Sequence, residues 1–207
     1  MFFSTFKLVG NSLRDPEDRN LLHNKLMAFF PSYRNGLGSP EARSKFGILF
    51  RVEGKTILLS SRIPPEFPAS QPGYLLFGTK DLTQAYAEIR KGDRFEFRLD
   101  ANTSIAEKEE ESGQGGVETK TRGKRVGCRT YPAREQWLKR MAERSGFVPG
   151  AFSMKASLLR IKGGVLEVTR FDGKLEVKDA GSFLESLCEG VGRGKSYGLG
   201  MISIQRP

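Results

Sequence analysis

The chain has 207 residues, enough for one large domain or two of about 100 residues, each able to bury a core. Lys and Arg number 34 against 24 Asp and Glu, a formal charge of +10 spread along the whole sequence, so the surface as a whole should attract phosphate. No apolar run is long enough to span a bilayer and the N-terminus lacks the pattern of a secretory leader, so a cytoplasmic protein with no membrane partner is expected.

Residues 2–9 are rich in Phe and β-formers and read as a strand. Asp15 suits an N-cap, Pro16 a first helical position, and Glu17 and Asp18 complement the positive end of the helix dipole. Leu22, Leu26 and Phe29 then fall on one helical stripe, widened by Phe30 and stopped by Pro31. His23, the only histidine, sits at the margin of that stripe. A Gly/Ser/Pro/Arg-rich loop runs from Pro31 to Lys45, and residues 46–52 and 56–61 bracket Glu53-Gly54-Lys55 as a hairpin. Prolines at 64–72 mark another loop, Tyr74–Phe77 a short strand, and residues 81–91 a weak helix before Gly92.

Arg94–Leu99 places Phe95, Phe97 and Leu99 on one face, a half-buried strand. Residues 103–123, rich in Glu and Gly, carry no structural assignment. A helix is expected from Pro132 to Ser145, then strands at 157–162, 165–171 and 174–177. A helix at 182–189, the glycine-rich block Gly190–Gly200 and a last strand at 201–204 complete the chain. The second half repeats the element order of the first. The expected fold class is α+β, two tandem ferredoxin-like units, divided as residues 1–91 and 92–207.

Cys128 and Cys188 stand far apart without a CxxC partner, and one His with two Cys does not make a conventional structural zinc site, so no metal is expected. The glycine-rich block follows a helix and precedes a strand, the reverse of a dinucleotide fingerprint, so no cofactor is expected either. Its bare backbone, with Arg193 and Lys195, suits a phosphodiester. The run Lys120, Arg122, Lys124, Arg125 and Arg129 contains no acid and suits a phosphate clamp, although such runs are usually solvated faces. Lys155, Arg160 and Lys162 lie near the Gly163-Gly164 turn, with Arg160 and Lys162 on one face of the expected strand. A histidine at the edge of an apolar helix face most often has a structural role. Alone it can move a proton, and RNA asks for little more, because its 2′-hydroxyl is an internal nucleophile.

The segments Leu22–Leu26 with Phe29-Phe30-Pro31, Phe50-Arg51-Val52, Leu58–Ser61, Phe95–Asn102, Gly123–Val126, Gln136-Trp137-Leu138, Phe171–Leu175 and the glycine-rich block occur in an order that resembles the CasE family. These are CRISPR-associated RNA endonucleases of the Cascade complex. The resemblance implies two tandem ferredoxin-like (RAMP/RRM-like) domains binding the stem-loop of a CRISPR repeat RNA. It implies metal-independent cleavage at the 3′ base of the hairpin, leaving a 2′,3′-cyclic phosphate, and retention with other Cascade subunits. The family's catalytic histidine falls on His23, and its basic, groove-entering hairpin near Arg160 and Lys162. Two positions depart from the pattern: Asn20 stands where a tyrosine is usual, and Asp100-Ala101-Asn102-Thr103 replaces Arg-Ala-Asn-Pro. A non-catalytic RNA-binding scaffold of the same fold is the alternative, as is, more distantly, a general basic RNA-binding module.

Overall fold

A computed structural model of the chain describes residues 1–31, 44–67, 72–106 and 125–207. Two four-stranded antiparallel sheets organise them. The first has the order β2-β3-β1-β4, from β1 (Phe2–Leu8), β2 (Leu49–Glu53), β3 (Thr56–Ser61) and β4 (Tyr74–Asp81). The second has the order β10-β5-β9-β8, from β5 (Arg94–Ala101), β8 (Phe147–Ile161), β9 (Gly164–Val177) and β10 (Ile202–Gln205). In both, the first and third strands of the unit lie in the centre and the fourth closes one edge, so the chain is two tandem ferredoxin-like units. A short hairpin, β6 (Ser104–Ala106) and β7 (Arg125–Gly127), is inserted after β5.

Each unit buries its own core. Helix α1 (Arg19–Met27) lays Leu22, Leu26 and Met27 against Phe6, Phe50, Ile57 and Leu59 of the first sheet. In the second, the alternation of β5 points Phe95, Phe97, Leu99 and Ala101 at α3 (Tyr131–Arg144) and α4 (Ala180–Glu189). Their partners there include Trp137, Leu138, Phe183 and Leu187. Among the described residues no helix is long and apolar enough to cross a membrane. Cys128 is buried, Cys188 half-buried, and both are free thiols.

Several expectations are corrected. The first helix is capped by Asp18, whose carboxylate accepts from the backbone N–H of Asn20 and Leu21, each at 3.0 Å. Asp15 and Pro16 instead belong to a preceding 3-10 helix, Gly10–Glu17. Asp15 is buried, taking Lys25 Nζ at 2.9 Å on each oxygen and the Tyr74 hydroxyl at 2.5 Å. The weak helix expected at 81–91 shrinks to α2 (Thr83–Ala87), which follows β4. The two strands expected at 165–171 and 174–177 are one, β9, which carries Gly173 opposite a register shift in β8 between Pro149 and Phe152. A Cβ on Gly173 would lie 2.4 Å from Phe152 Cβ, so this glycine admits a close strand crossing and makes no turn. Residues 104–106, for which the sequence carries no structural assignment, form β6; residues 107–123 of that segment, and residues 32–43 of the expected loop, lie outside the described residues.

Candidate active site

His23 is half-buried on α1, with Leu22 and Leu26 turned into the core on either side. Its ring lies 6.5 Å from that of Phe50 on β2, inclined by 27°. Phe50 in turn receives the glycine-rich segment of the second unit. A Cβ on Gly198 would meet Phe50 Cε2 at 2.7 Å and Arg19 Nη1 at 3.4 Å, and Gly198 has φ +82°, so only glycine lets the backbone close over this ring. The segment is held at its base: Val191 N–H donates to Gly200 O at 2.8 Å, and Gly200 N–H to Asp100 O at 2.7 Å. At its far end it makes a 3-10 turn, Lys195–Tyr197. Residues more than 170 positions apart in sequence thus enclose one side of the histidine.

Arg19 joins them. It stands one helical turn before His23, on the same face of α1. Its burial lowers the guanidinium pKa from the usual value, and the carboxylate of Asp100 pulls it back up. The group stays cationic. Its Nε is enclosed and has no hydrogen-bond partner among the described residues. Sequence reading passes over Arg19, although its i, i+4 spacing to the single histidine is a signal that could have found it.

Behind this corner a network of charges joins the two sheets. Asp100 takes Arg170 on both oxygens at 2.7 Å, and Arg170 Nη1 reaches Glu53 at 3.1 Å. Arg51, buried on β2, donates to Glu53 at 2.8 Å, and Arg98 bridges Glu53 at 3.2 Å to Asp172. Burial alone would raise the Glu53 carboxyl, but Arg51 and Arg170 hold it below the ordinary carboxylate range. The acid at position 100 therefore builds the junction.

The other candidate residues are dispersed. Lys155 and Arg160 are exposed on the β8–β9 hairpin, where Leu158 and Val165 are also largely exposed, so the outer part of the hairpin packs on little. Arg160 pairs with Val165 and Ile161 with Gly164, which puts Lys162 in the two-residue turn rather than on the strand face with Arg160. Arg129 is exposed and ion-paired to Glu167 at 3.1 Å. Arg125 lies in β7 opposite Ala106, and Lys124 lies outside the described residues. Arg193 is exposed and Lys195 half-buried in the glycine-rich segment; among the described residues of the expected phosphate-binding elements, this segment alone is brought against the helix of His23.

Tandem ferredoxin-like units, with an exposed basic hairpin on the second and a glycine-rich loop closing on Phe50 and Arg19 beside His23, define the class of fold. The chain belongs to the family of CRISPR associated proteins, whose model matches residues 1–206, and the CasE resemblance is borne out. It is 28% identical over 171 residues, 74% of each chain, to the CRISPR-associated endoribonuclease Cse3 of Thermus thermophilus. Its fold matches Thermus thermophilus Cse3 bound to an RNA representing a pre-cleavage complex, with TM-score 0.77, 22% identity and coverage of 99% and 98% of the two chains. It also matches a chain of a CRISPR RNA-guided surveillance complex, with TM-score 0.69 and 22% identity over the full length of both.

Proposed function

We propose that the chain cleaves CRISPR repeat RNA at the 3′ base of its stem-loop by metal-independent transesterification and then stays with the product among Cascade subunits. The observation that carries this reading is the closure of the glycine-rich segment over Phe50 and Arg19, beside His23. A phosphodiester lying there would meet a proton-transfer group, a half-buried cation and bare backbone together. The 2′-oxygen attacks its own phosphorus, the bond to the 5′-oxygen breaks, and the products are a 2′,3′-cyclic phosphate and a 5′-hydroxyl. His23 transfers a proton at one of those two oxygens. Arg19 supplies positive charge where the phosphorane gathers negative charge, in a site partly closed to water. In this reading residues 1–91 carry the chemistry, and residues 92–207 carry the glycine-rich loop and the RNA-gripping hairpin.

Product analysis tests it. Incubated in EDTA with the repeat RNA of its own array, the protein should give one cut and a cyclic-phosphate end, and a 2′-deoxy substitution at the scissile nucleotide should abolish cleavage. Complete loss in EDTA with binding intact, or cleavage of the 2′-deoxy substrate, would sink the mechanism. A band shift without any product would leave only an RNA-binding scaffold.

Arg160 and Lys162 are expected to grip the stem. Replacing both with Ala should weaken hairpin binding about tenfold or more at moderate salt and flatten the log Kd against log[salt] line by about two. An unchanged slope would remove them from the interface. Arg19→Ala should lower the single-turnover rate by about 10²-fold, as for loss of one transition-state donor, while hairpin Kd moves little. Arg19→Lys should recover part of the rate; equal loss of rate and affinity would make Arg19 an ordinary binding contact.

A further inference from the structure

A cleft of about 340 Å³ opens between the start of the glycine-rich segment, α3 and the start of β6. Its lining includes Arg140, Arg144, Arg193, Trp137, Asn102 and Ser104. Trp137, Arg140 and Arg144 recur at helical spacing, so α3 presents one stripe to the cleft. None of the three arginines makes an ion pair or a hydrogen bond among the described residues. The same helix does pair charges elsewhere: Lys139 meets Glu135 at 2.7 Å. Arg140 and Arg144, like charges one turn apart, destabilise the helix that carries them. A third unpaired arginine arriving from the loop adds to that repulsion. The arrangement is one an anionic ligand would relieve.

The ligand is more than a bare anion. Trp137 floors the cleft, held parallel to Phe171 at 6.1 Å and 8°. A Cβ on Gly192, which has φ +69°, would lie 3.3 Å from Trp137 Cζ2, so bare backbone forms the neighbouring wall. Ser104 Oγ donates to Asn102 Oδ1 at 2.8 Å, and Asn102 Nδ2 donates to Glu167 O at 2.9 Å, so these two residues give the cleft a fixed polar wall. Apolar floor, fixed polar groups and a guanidinium cluster match a nucleobase with its phosphates, and the volume admits one nucleotide and excludes a duplex. The loop that forms this wall at Gly192 is the loop that closes over Phe50 at Gly198. A strand leaving the reacting phosphate and crossing the loop would arrive here.

We propose that this cleft is a subsite for one unpaired nucleotide flanking the hairpin, its phosphates held by Arg140, Arg144 and Arg193. The proposal rests on the RNA-cleavage reading and adds a specificity determinant to it: the single-stranded flank is recognised as well as the stem.

Fluorescence anisotropy with non-cleavable repeat RNA, 2′-deoxy at the scissile position, tests it. Three probes are compared: the hairpin alone, the hairpin with an unstructured 5′ flank, and the hairpin with an unstructured 3′ flank. The wild-type protein should bind one flanked probe about tenfold more tightly than the bare hairpin. The double variant R140A/R144A should lose that gain while binding the bare hairpin as wild type does. Both side chains are exposed, so the fold should survive, and R140K/R144K, which keeps the charge, should retain much of the gain. An abasic nucleotide at a single flank position should cost the wild type part of its gain. The proposal is overturned if neither flank adds affinity, if R140A/R144A keeps the gain, or if it weakens bare hairpin and flanked probes alike. A wild-type protein that ignores the hairpin altogether would overturn the RNA-cleavage reading and this subsite with it.

Discussion

His23→Ala should leave the repeat hairpin bound with near wild-type affinity and cut it at least 10²-fold more slowly in single turnover. Positioned proton transfer contributes about 10²–10⁴-fold, and this chain has one imidazole with which to supply it. The upper part of that range is expected here. Asn20, where a tyrosine would be usual, has an amide that cannot ionise, so it cannot stand in as a second acid or base. The helix itself should persist, because its cap at Asp18 and its core contacts through Leu22 and Leu26 do not involve the imidazole. Wild-type cleavage by the variant would remove His23 from the chemistry and return it to a structural role. A fall in rate and affinity together, with a lowered melting temperature, would point to the same role.

The parts of this site differ in how far the sequence reveals them, and the difference is one of range. Strand β5 shows itself because one of its faces is buried, so Phe95, Phe97 and Leu99 alternate with charged residues. The stripe of α1 shows itself for the same reason at helical period. The start of α1 does not. Asp15 and Asp18 are equally good caps locally, and the choice falls to Asp18 because Asp15 is engaged by Tyr74, 59 residues away. Strand β8 starts ten residues before the expected strand at 157, because Pro149 and Gly150, poor strand formers, lie at a bulge within it. Gly173 misleads in the same way, since its meaning depends on Phe152 across the ladder. Arg19 is harder to see. Its i, i+4 spacing to His23 puts it on the same helix face, but it is enclosed only when residues near 198 fold over it.

Asp100→Ala should be the most damaging change to stability among the residues around the site, by about 3 kcal/mol or more. The carboxylate satisfies Arg170 with two bonds and faces the half-buried Arg19. Removing it leaves Arg51, Arg98 and Arg170 to share Glu53, with only Arg98 also reaching Asp172, and takes from Arg19 its facing carboxylate. An uncompensated buried guanidinium costs far more than an exposed pair is worth. Asp100→Asn, which keeps the shape and one acceptor, should fall between the variant and wild type. Urea titration measures both; a loss below about 1 kcal/mol would mean the junction behaves as solvent-exposed charge. Acid should reproduce the effect without mutation. Glu53 is held below the ordinary carboxylate range in the folded state, so its contribution is complete above the unfolded carboxyl pKa and is lost as pH falls through the lower folded one. The damage should also reach the chemistry, because the same residue's carbonyl accepts the Gly200 N–H that pins the base of the glycine-rich segment. Losing its side chain loosens the loop over Phe50, so Asp100→Ala should cut more slowly even at temperatures where it remains folded, with His23 untouched.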